Sequence, residues 1–431
     1  MPREAYEVVH DVQERALLVG IDRPRTDGWT LEDDLAELER LVDTAGAVVA
    51  GAVTQRMERP NPRTFVGSGK AAEIEALARE LSATVIVFDD ELSPSQQANL
   101  EELLPDIRVI DRTQMILDIF AAHAVSHEGK LQVELARLEY VLPRLRGMWG
   151  HLVAERLGGG RGARFGAGES QLGTDRRLTR RRISELKREL KVVSRARETQ
   201  RASRARSGVF RVALVGYTNA GKSTLLNALT DAGVLVQDQL FATLDATTRR
   251  LELPDGRAVT LTDTVGFINK LPHGLVEAFK STLDEVREAD LLLHVVDASH
   301  PNADQQIQSV RVVLDEIEAA ENPQVIAYNK TDLLPPAEVA RLAALPGAVA
   351  IAAAAGTGLD ALLERIAVIA AREDRPVTVL VPYDRGDLVR LAHEQTHIIA
   401  EEHTGTGTRL TLAANAEVRA RFEQFVEESG A

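Results

Sequence analysis

Four short runs carry residue types that could do chemistry together. Gly216-Tyr217-Thr218-Asn219-Ala220-Gly221-Lys222-Ser223-Thr224 spaces two glycines, a lysine and a hydroxyl as a phosphate-wrapping loop does. Backbone N–H groups of such a loop cradle anionic oxygens, the lysine reaches the outer phosphates and the serine hydroxyl ligates magnesium. Asp263-Thr264-Val265-Gly266 supplies a carboxylate to orient that ion and a glycine N–H to sense the γ-phosphate. Asn329-Lys330-Thr331-Asp332 selects a base. The Asp332 carboxylate can accept from guanine N1–H and the 2-amino group, a donor pair that adenine lacks, while Asn329 braces the loop and the Lys330 stem covers the base. Phe241-Ala242-Thr243-Leu244-Asp245 lies between the first two runs, and Thr243 is the leading candidate for a second magnesium-binding hydroxyl, with Thr247 and Thr248 as competitors. The expected chemistry is magnesium-dependent GTP hydrolysis to GDP, with Lys222, Asp263 and Gly266 as the catalytic set and Ser223 and Thr243 as metal ligands. Phe267 stands where a glutamine often orients the attacking water, so turnover of the isolated protein should be slow. Either a large partner that reorders the switches, or a potassium ion held partly by Asn219, would complete the site.

These runs need rigid elements to present them. Val209–Val215, Val259–Thr262, Leu291–Val296, Gln324–Tyr328 and Ala348–Ile351 read as buried strands, and Ser223–Leu229 as a helix. The runs fall at strand ends, where open α/β sheets bind ligands. Residues 208–372 are therefore expected to form a doubly wound, parallel-sheet G domain. Residues 1–122 alternate strand-like Ala16–Ile21, Ala47–Val53, Ala83–Phe88 and Ile107–Ile110 with helical stretches such as Leu31–Asp43 and Ala71–Leu81, a second small α/β unit. Gly67-Ser68-Gly69-Lys70 lacks the spacer of a phosphate loop and reads as a turn into a helix.

Residues 123–207 carry two apolar stripes at helical spacing, Leu131/Leu135/Leu138/Leu142 and Ile183/Leu186/Leu190/Val193, expected to pair as an antiparallel hairpin. The connecting stretch Gly158–Gly173 holds seven glycines, with Arg161 and Arg164 among them, and could mould itself to a phosphate-lined surface. Net charge is -14, which argues against nucleic acid, yet Asp175–Arg206 has 13 Lys/Arg against 4 Asp/Glu. One anion-seeking arm on an acidic body suggests an RNA contact. Residues 373–431 read as a small α+β tail: a strand at Pro376–Pro382, a helix at Gly386–Ala400, a strand at Thr408–Leu412 and a final helix at Ala416–Glu428.

The tail also contains His393-Glu394-Gln395-Thr396-His397, a zinc-protease spacing, with His403 beyond it. Ala400 replaces the glycine such a site needs before its third ligand, and no methionine follows. The two histidines are therefore expected on a helix face, without metal. There is no cysteine, which excludes disulfides and thiolate ligands. No apolar run reaches the roughly 18–20 residues of a membrane span, and no export signal is recognisable, so a cytoplasmic monomer is expected.

The chain resembles the HflX family of ribosome-associated GTPases over nearly its whole length. The nucleotide runs carry the resemblance, with Leu271–Leu283, Arg63–Lys70, Leu131–Ala136, Leu142–Leu145 and Thr174–Arg177. It implies a partner, the large (50S) ribosomal subunit and its rRNA, a hairpin tip directed toward the peptidyl transferase centre, and a role in splitting stalled ribosomes under heat or antibiotic stress. Large-subunit assembly, dormancy, or a scaffold that hydrolyses little remain alternatives. The resemblance also implies a last guanine box at Ala352-Ala353-Ala354, where the Ala353 N–H would reach guanine O6 without the family's usual serine hydroxyl, lowering affinity but not specificity. At the hairpin tip Ala167 replaces the family's proline and Phe165 stands near its arginine position.

Overall fold

The computed structural model describes residues 13–25, 28–145, 168–205, 209–230, 239–272, 275, 280–414 and 416–427. The chain divides into two compact units: Met1–Ala124 with Lys130–Lys187, and Val125–Gly129 with Arg188–Ala431.

The first unit alternates β1 (Arg15–Asp22), α1 (Leu31–Thr44), β2 (Val48–Arg56), α2 (Ser68–Glu80), β3 (Val85–Phe88), α3 (Pro94–Leu103), β4 (Arg108–Asp111) and α4 (Arg112–His123). The four strands form a parallel sheet in the order β2-β1-β3-β4. β1 and β3 are apolar on both faces because helices cover both sides. Local chemistry fixes the helix starts. Thr30 and Asp33 form a capping box at α1, Ser93 and Gln96 another at α3 with Pro94 in the first turn, and the Asp111 side chain caps α4. Gly67 is the N-cap of α2, and Lys70 pairs with Glu73 in the first turn of that helix, so this glycine run is the expected turn into a helix.

α5 (His127–Arg144) and α6 (Gly168–Ala205) follow. In both apolar stripes the leading residues are buried: Leu131, Leu135, Ile183 and Leu186. Two ion pairs join the helices. Arg182 forks onto Glu134 at 2.7 and 2.9 Å, and Lys187 meets Glu139 at 2.7 Å. Residues 146–167, with Arg161 and Arg164, lie outside the described residues, whereas Gly168–Gly173, expected in the connecting loop, form the start of α6. Arg144, in the Leu142–Leu145 run, is buried over the Tyr140 ring and donates to Leu92 O and Gln97, which makes it a packing residue.

The second unit holds β5 (Arg211–Gly216), α7 (Lys222–Thr230), β6 (Thr247–Glu252), β7 (Ala258–Asp263), α8 (Lys280–Arg287), β8 (Leu291–Asp297), α9 (Ala303–Glu316), β9 (Gln324–Asn329), α10 (Pro336–Ala343), β10 (Ala348–Ala350) and α11 (Leu359–Ala370). The sheet order is β10-β9-β8-β5-β7-β6, parallel except for the β6–β7 pair. The change of direction around β5 puts the first glycine loop at the topological switch point. Edge strand β6 was not expected, because Thr-Thr-Arg-Arg-Leu-Glu buries little beyond Leu251. Residues 273–274 and 276–279 of the 271–283 run lie outside the described residues.

The tail forms the antiparallel sheet β11-β13-β12, from β11 (Arg375–Pro382), β12 (His397–His403) and β13 (Gly407–Ala414), with α12 (Gly386–Gln395) packed on it and a short α13 (Ala416–Ala420) after it. Two expectations are corrected here. The 386–400 helix stops at Gln395, because Thr396 turns extended and bonds back through its N–H and hydroxyl to Ala392 O. The final helix is one short turn followed by a 3-10 turn at Glu423–Phe425.

Candidate functional site

The first glycine loop leaves β5 at Gly216 and enters α7 at Lys222, so the N-terminus of α7 opens toward its concavity. Gly221 has φ +95°, and a Cβ there would lie 2.3 Å from Asn329 Nδ2, so no other residue fits. Lys222 is buried, and its ammonium donates to Tyr217 O at 2.8 Å and Gly216 O at 3.2 Å. Burial lowers its pKa to about 8, with the neighbouring Asp263 carboxylate opposing the shift. An ammonium held only by carbonyl dipoles is placed to exchange them for an anion.

Asp263 ends β7 with no solvent exposure. Its Oδ2 accepts from the Ser223 hydroxyl at 2.6 Å, and the Ser223 and Thr243 hydroxyls lie 2.8 Å apart. Oδ1 is buried without a hydrogen-bond partner. Burial raises the Asp263 pKa above the usual carboxylate range, against the pull of Lys222 and Ser223. Two hydroxyls and an unsatisfied carboxylate oxygen form an all-oxygen set that fits a hard dication such as magnesium. Thr248 instead bonds Thr262 at 3.0 Å within the β6–β7 ladder, and Thr247 pairs with Asp263 through the backbone. Among the three competing threonines, Thr243 has its hydroxyl against Ser223.

Gly266 presses on the loop: a Cβ there would sit 2.9 Å from Thr218 Cα and 3.0 Å from Lys222 Nζ. Phe267 is buried, and its backbone pairs with the loop, Phe267 N to Gly216 O at 3.1 Å and Thr218 N to Phe267 O at 2.7 Å. Its role in the fold is to bolt the Asp263–Gly266 run onto the glycine loop. Thr264 donates to Leu214 O, and the Tyr217 hydroxyl accepts from Asn269 N, which fixes the same seam. Asn219, Thr224, Ala242 and Phe241 line the cleft with Lys222 and Ser223. Ala220, Leu244 and Val265, in the same runs, are buried. The Asp245 carboxylate turns away, to Val125 and Ser126.

At the other end, Asn329 joins three runs. Its Nδ2 donates to Ala220 O at 2.9 Å, and its Oδ1 accepts from Ala353 N at 2.9 Å. The Ala353 N–H expected to face guanine O6 is therefore engaged by this brace, and exposed Ala354 offers the next amide along. Lys330 adopts φ 60°, and its ammonium pairs with Asp297 at 2.6 Å. Burial alone would raise the Asp297 pKa, but hydrogen bonds from Lys330 and Ser299 outweigh it and hold the carboxyl below its ordinary value. Thr331 donates through N–H and hydroxyl to Ile351 O, and Ala352 closes the last run by pairing with Thr357. Asp332 is exposed, free to meet a base edge. Asp297 was not singled out from sequence. Its signal was a carboxylate at the end of an apolar strand, the same placement as Asp263.

The histidine run assembles no site. His393 lies on α12 beside Glu401, whereas His397 opens β12 and its Nδ1 meets Asp255 O. The two are not on one helix face, and among the described residues no cluster of three metal-ligating side chains occurs. Among the described residues, no helix is long and apolar enough to cross a membrane.

Three family models match in succession: "GTP-binding GTPase N-terminal" at residues 32–121, "GTP-binding GTPase Middle Region" at 123–204 and "50S ribosome-binding GTPase" at 211–330. The chain is 45% identical to the GTPase HflX of Caldanaerobacter subterraneus subsp. tengcongensis over 96% of its own length and 94% of that protein. It is 50% identical to the GTPase HflX of Escherichia coli over 75% of each, and 42% identical to that of Akkermansia muciniphila over 99% of each. With the phosphate loop, the Asp263 run and the guanine brace assembled at the end of one sheet, the chain belongs to the HflX family of GTPases, and its reaction is the hydrolysis of GTP.

Proposed function

We propose that this GTPase works as a switch on the large ribosomal subunit, docking in its triphosphate form and leaving after hydrolysis, and that docking drives the splitting of stalled ribosomes in the cytoplasm. The observation that carries the reading is the match of residues 211–330 to a 50S ribosome-binding GTPase model on a chain whose α6 concentrates its positive charge. A basic arm gains affinity for rRNA by releasing condensed cations, which the acidic remainder does not do. The proposed division of labour is 1–122 and 123–207 for docking, 208–372 for nucleotide and 373–431 as a small accessory domain.

Within the site we assign Lys222 to the β- and γ-phosphates, Ser223 and Thr243 to magnesium, Asp263 to that ion through water, Gly266 to sensing the γ-phosphate and Asp332 to guanine. Magnesium, when bound, neutralises charge spread over the two outer phosphates. A side chain at position 266 would collide with Thr218 and Lys222, so the glycine lets this run lie close against the loop that holds the nucleotide. Phe267 is packed in the seam and cannot orient water. The remaining group is supplied by the ribosome or by a potassium ion near Asn219.

One experiment tests both parts: GTP turnover with and without purified large subunits, in potassium and in sodium, for wild type and a variant lacking Gly166–Gly168. The expectation is low turnover alone, a rise of tenfold or more (~1.4 kcal/mol of barrier) with subunits, and a smaller rise in the deletion variant. Unchanged turnover with subunits would contradict the docking reading. Equal rates in the two salts would remove potassium from the site.

A further inference from the structure

The Asp245 carboxylate, two residues beyond Thr243, forms a second attachment of the 241–245 segment. Oδ2 accepts from Val125 N at 3.1 Å and Ser126 N at 2.7 Å, and Oδ1 accepts from the Ser126 hydroxyl. Ser126 is itself placed as an N-cap, since its Oγ accepts from Gly129 N at 2.9 Å in the first turn of α5. An anionic side chain is favourable at a helix start, where N–H groups lack partners. Gly129 is an independent sign that the arrangement is built for a carboxylate. A Cβ there would lie 2.5 Å from Asp245 Oδ1, so any larger residue would collide with the grip. The peptide Val125–Gly129 groups with the GTPase unit, although the rest of α5 does not.

We infer that Asp245 is a positioning residue, a latch through which the nucleotide state sets the order of the first turn of α5. The inference rests on the reading of Thr243 as the switch hydroxyl. Two residues span at most about 7 Å, and Leu244 between them is buried. A displacement of Thr243 that exceeds this short span must therefore carry Asp245 with it. With triphosphate and magnesium, Thr243 is held at Ser223 and Asp245 stays on Val125 and Ser126. After hydrolysis Thr243 is released, Asp245 goes with it, and two backbone N–H groups at the start of α5 lose their acceptor. The same grip acts in the other direction, holding Thr243 near Ser223 and raising the preference for triphosphate over diphosphate.

Hydrogen exchange of the Val125–Gly129 amides in the full-length protein, saturated with magnesium and either GDP or the non-hydrolysable analogue GDPNP, tests this. Fluorescent-analogue affinities are measured on the same samples. Wild type should exchange about tenfold more slowly with GDPNP than with GDP. Asp245→Ala and Gly129→Ala should abolish that difference while still binding GDPNP, with the GDPNP-over-GDP preference reduced severalfold. Should Asp245→Ala fail to fold, Gly129→Ala and Ser126→Ala carry the comparison, since neither touches nucleotide. Intact GDPNP binding with equal exchange in both states, or a difference that survives Asp245→Ala, would overturn the latch alone. Failure of the wild type to bind GDPNP would overturn the reading of the site, and the latch with it.

Discussion

At the residue scale, the lysine of the phosphate loop has the most direct consequence. Burial holds Lys222 near pKa 8 in the nucleotide-free protein. Bound phosphate favours the ammonium, so binding above that pH must draw a proton from solvent. GTP affinity is therefore expected to be flat below about pH 7.5 and to fall by up to tenfold per pH unit above 8.5, well before an ordinary lysine would titrate. Titrations in buffers of different ionisation enthalpy should register proton uptake over the same window. A flat profile to pH 10 would mean that Lys222 stays charged without ligand. Lys222, Ser223, Asp263 and Asn329 were legible in sequence because their chemistry is local to a spaced run. The Asn329–Ala353 bond and the Lys330–Asp297 pair were not, because each joins runs separated along the chain and is set by sheet order.

At the element scale, strand β6 bears on which threonine can serve as the proposed magnesium ligand. Thr247 and Thr248 enter a ladder with β7, the Thr248 hydroxyl bonds Thr262, and the loop before the strand sets the Thr243 hydroxyl against Ser223. Thr243→Ala should weaken magnesium–GDPNP binding by roughly tenfold, the order of one lost polar contact, and leave GDP binding nearly unchanged. Thr248→Val should behave as wild type in both. The reverse ranking, measured by fluorescent-nucleotide titration, would place the switch ligand in β6. Spacing alone could not reveal this strand, since its sequence has one buried apolar residue. The ion pairs between α5 and α6 were hidden for a related reason. An apolar stripe fixes which face a helix buries but not its polar partners, which here are Arg182–Glu134 and Lys187–Glu139. The tail helix ends at Gln395, where Thr396 turns extended while its N–H and hydroxyl both bond Ala392 O.

At the scale of the whole molecule, the alternation of strand and helix was legible for both parallel sheets because buried parallel strands are continuous apolar runs. The molecule combines a guanine-nucleotide site with a basic helix on an otherwise acidic chain. Its function depends on the first being specific, because a switch that accepted ATP would be saturated regardless of GTP supply. Specificity is assigned to Asp332, held out on a turn that Asn329 and Thr331 brace. Calorimetry on nucleotide-stripped protein with magnesium tests this most directly. Guanosine di- and triphosphate should bind at least 100-fold more tightly than their adenosine counterparts, and Asp332→Ala should erase most of that margin. Equal affinity for the two bases, or a margin that survives Asp332→Ala, would contradict the account.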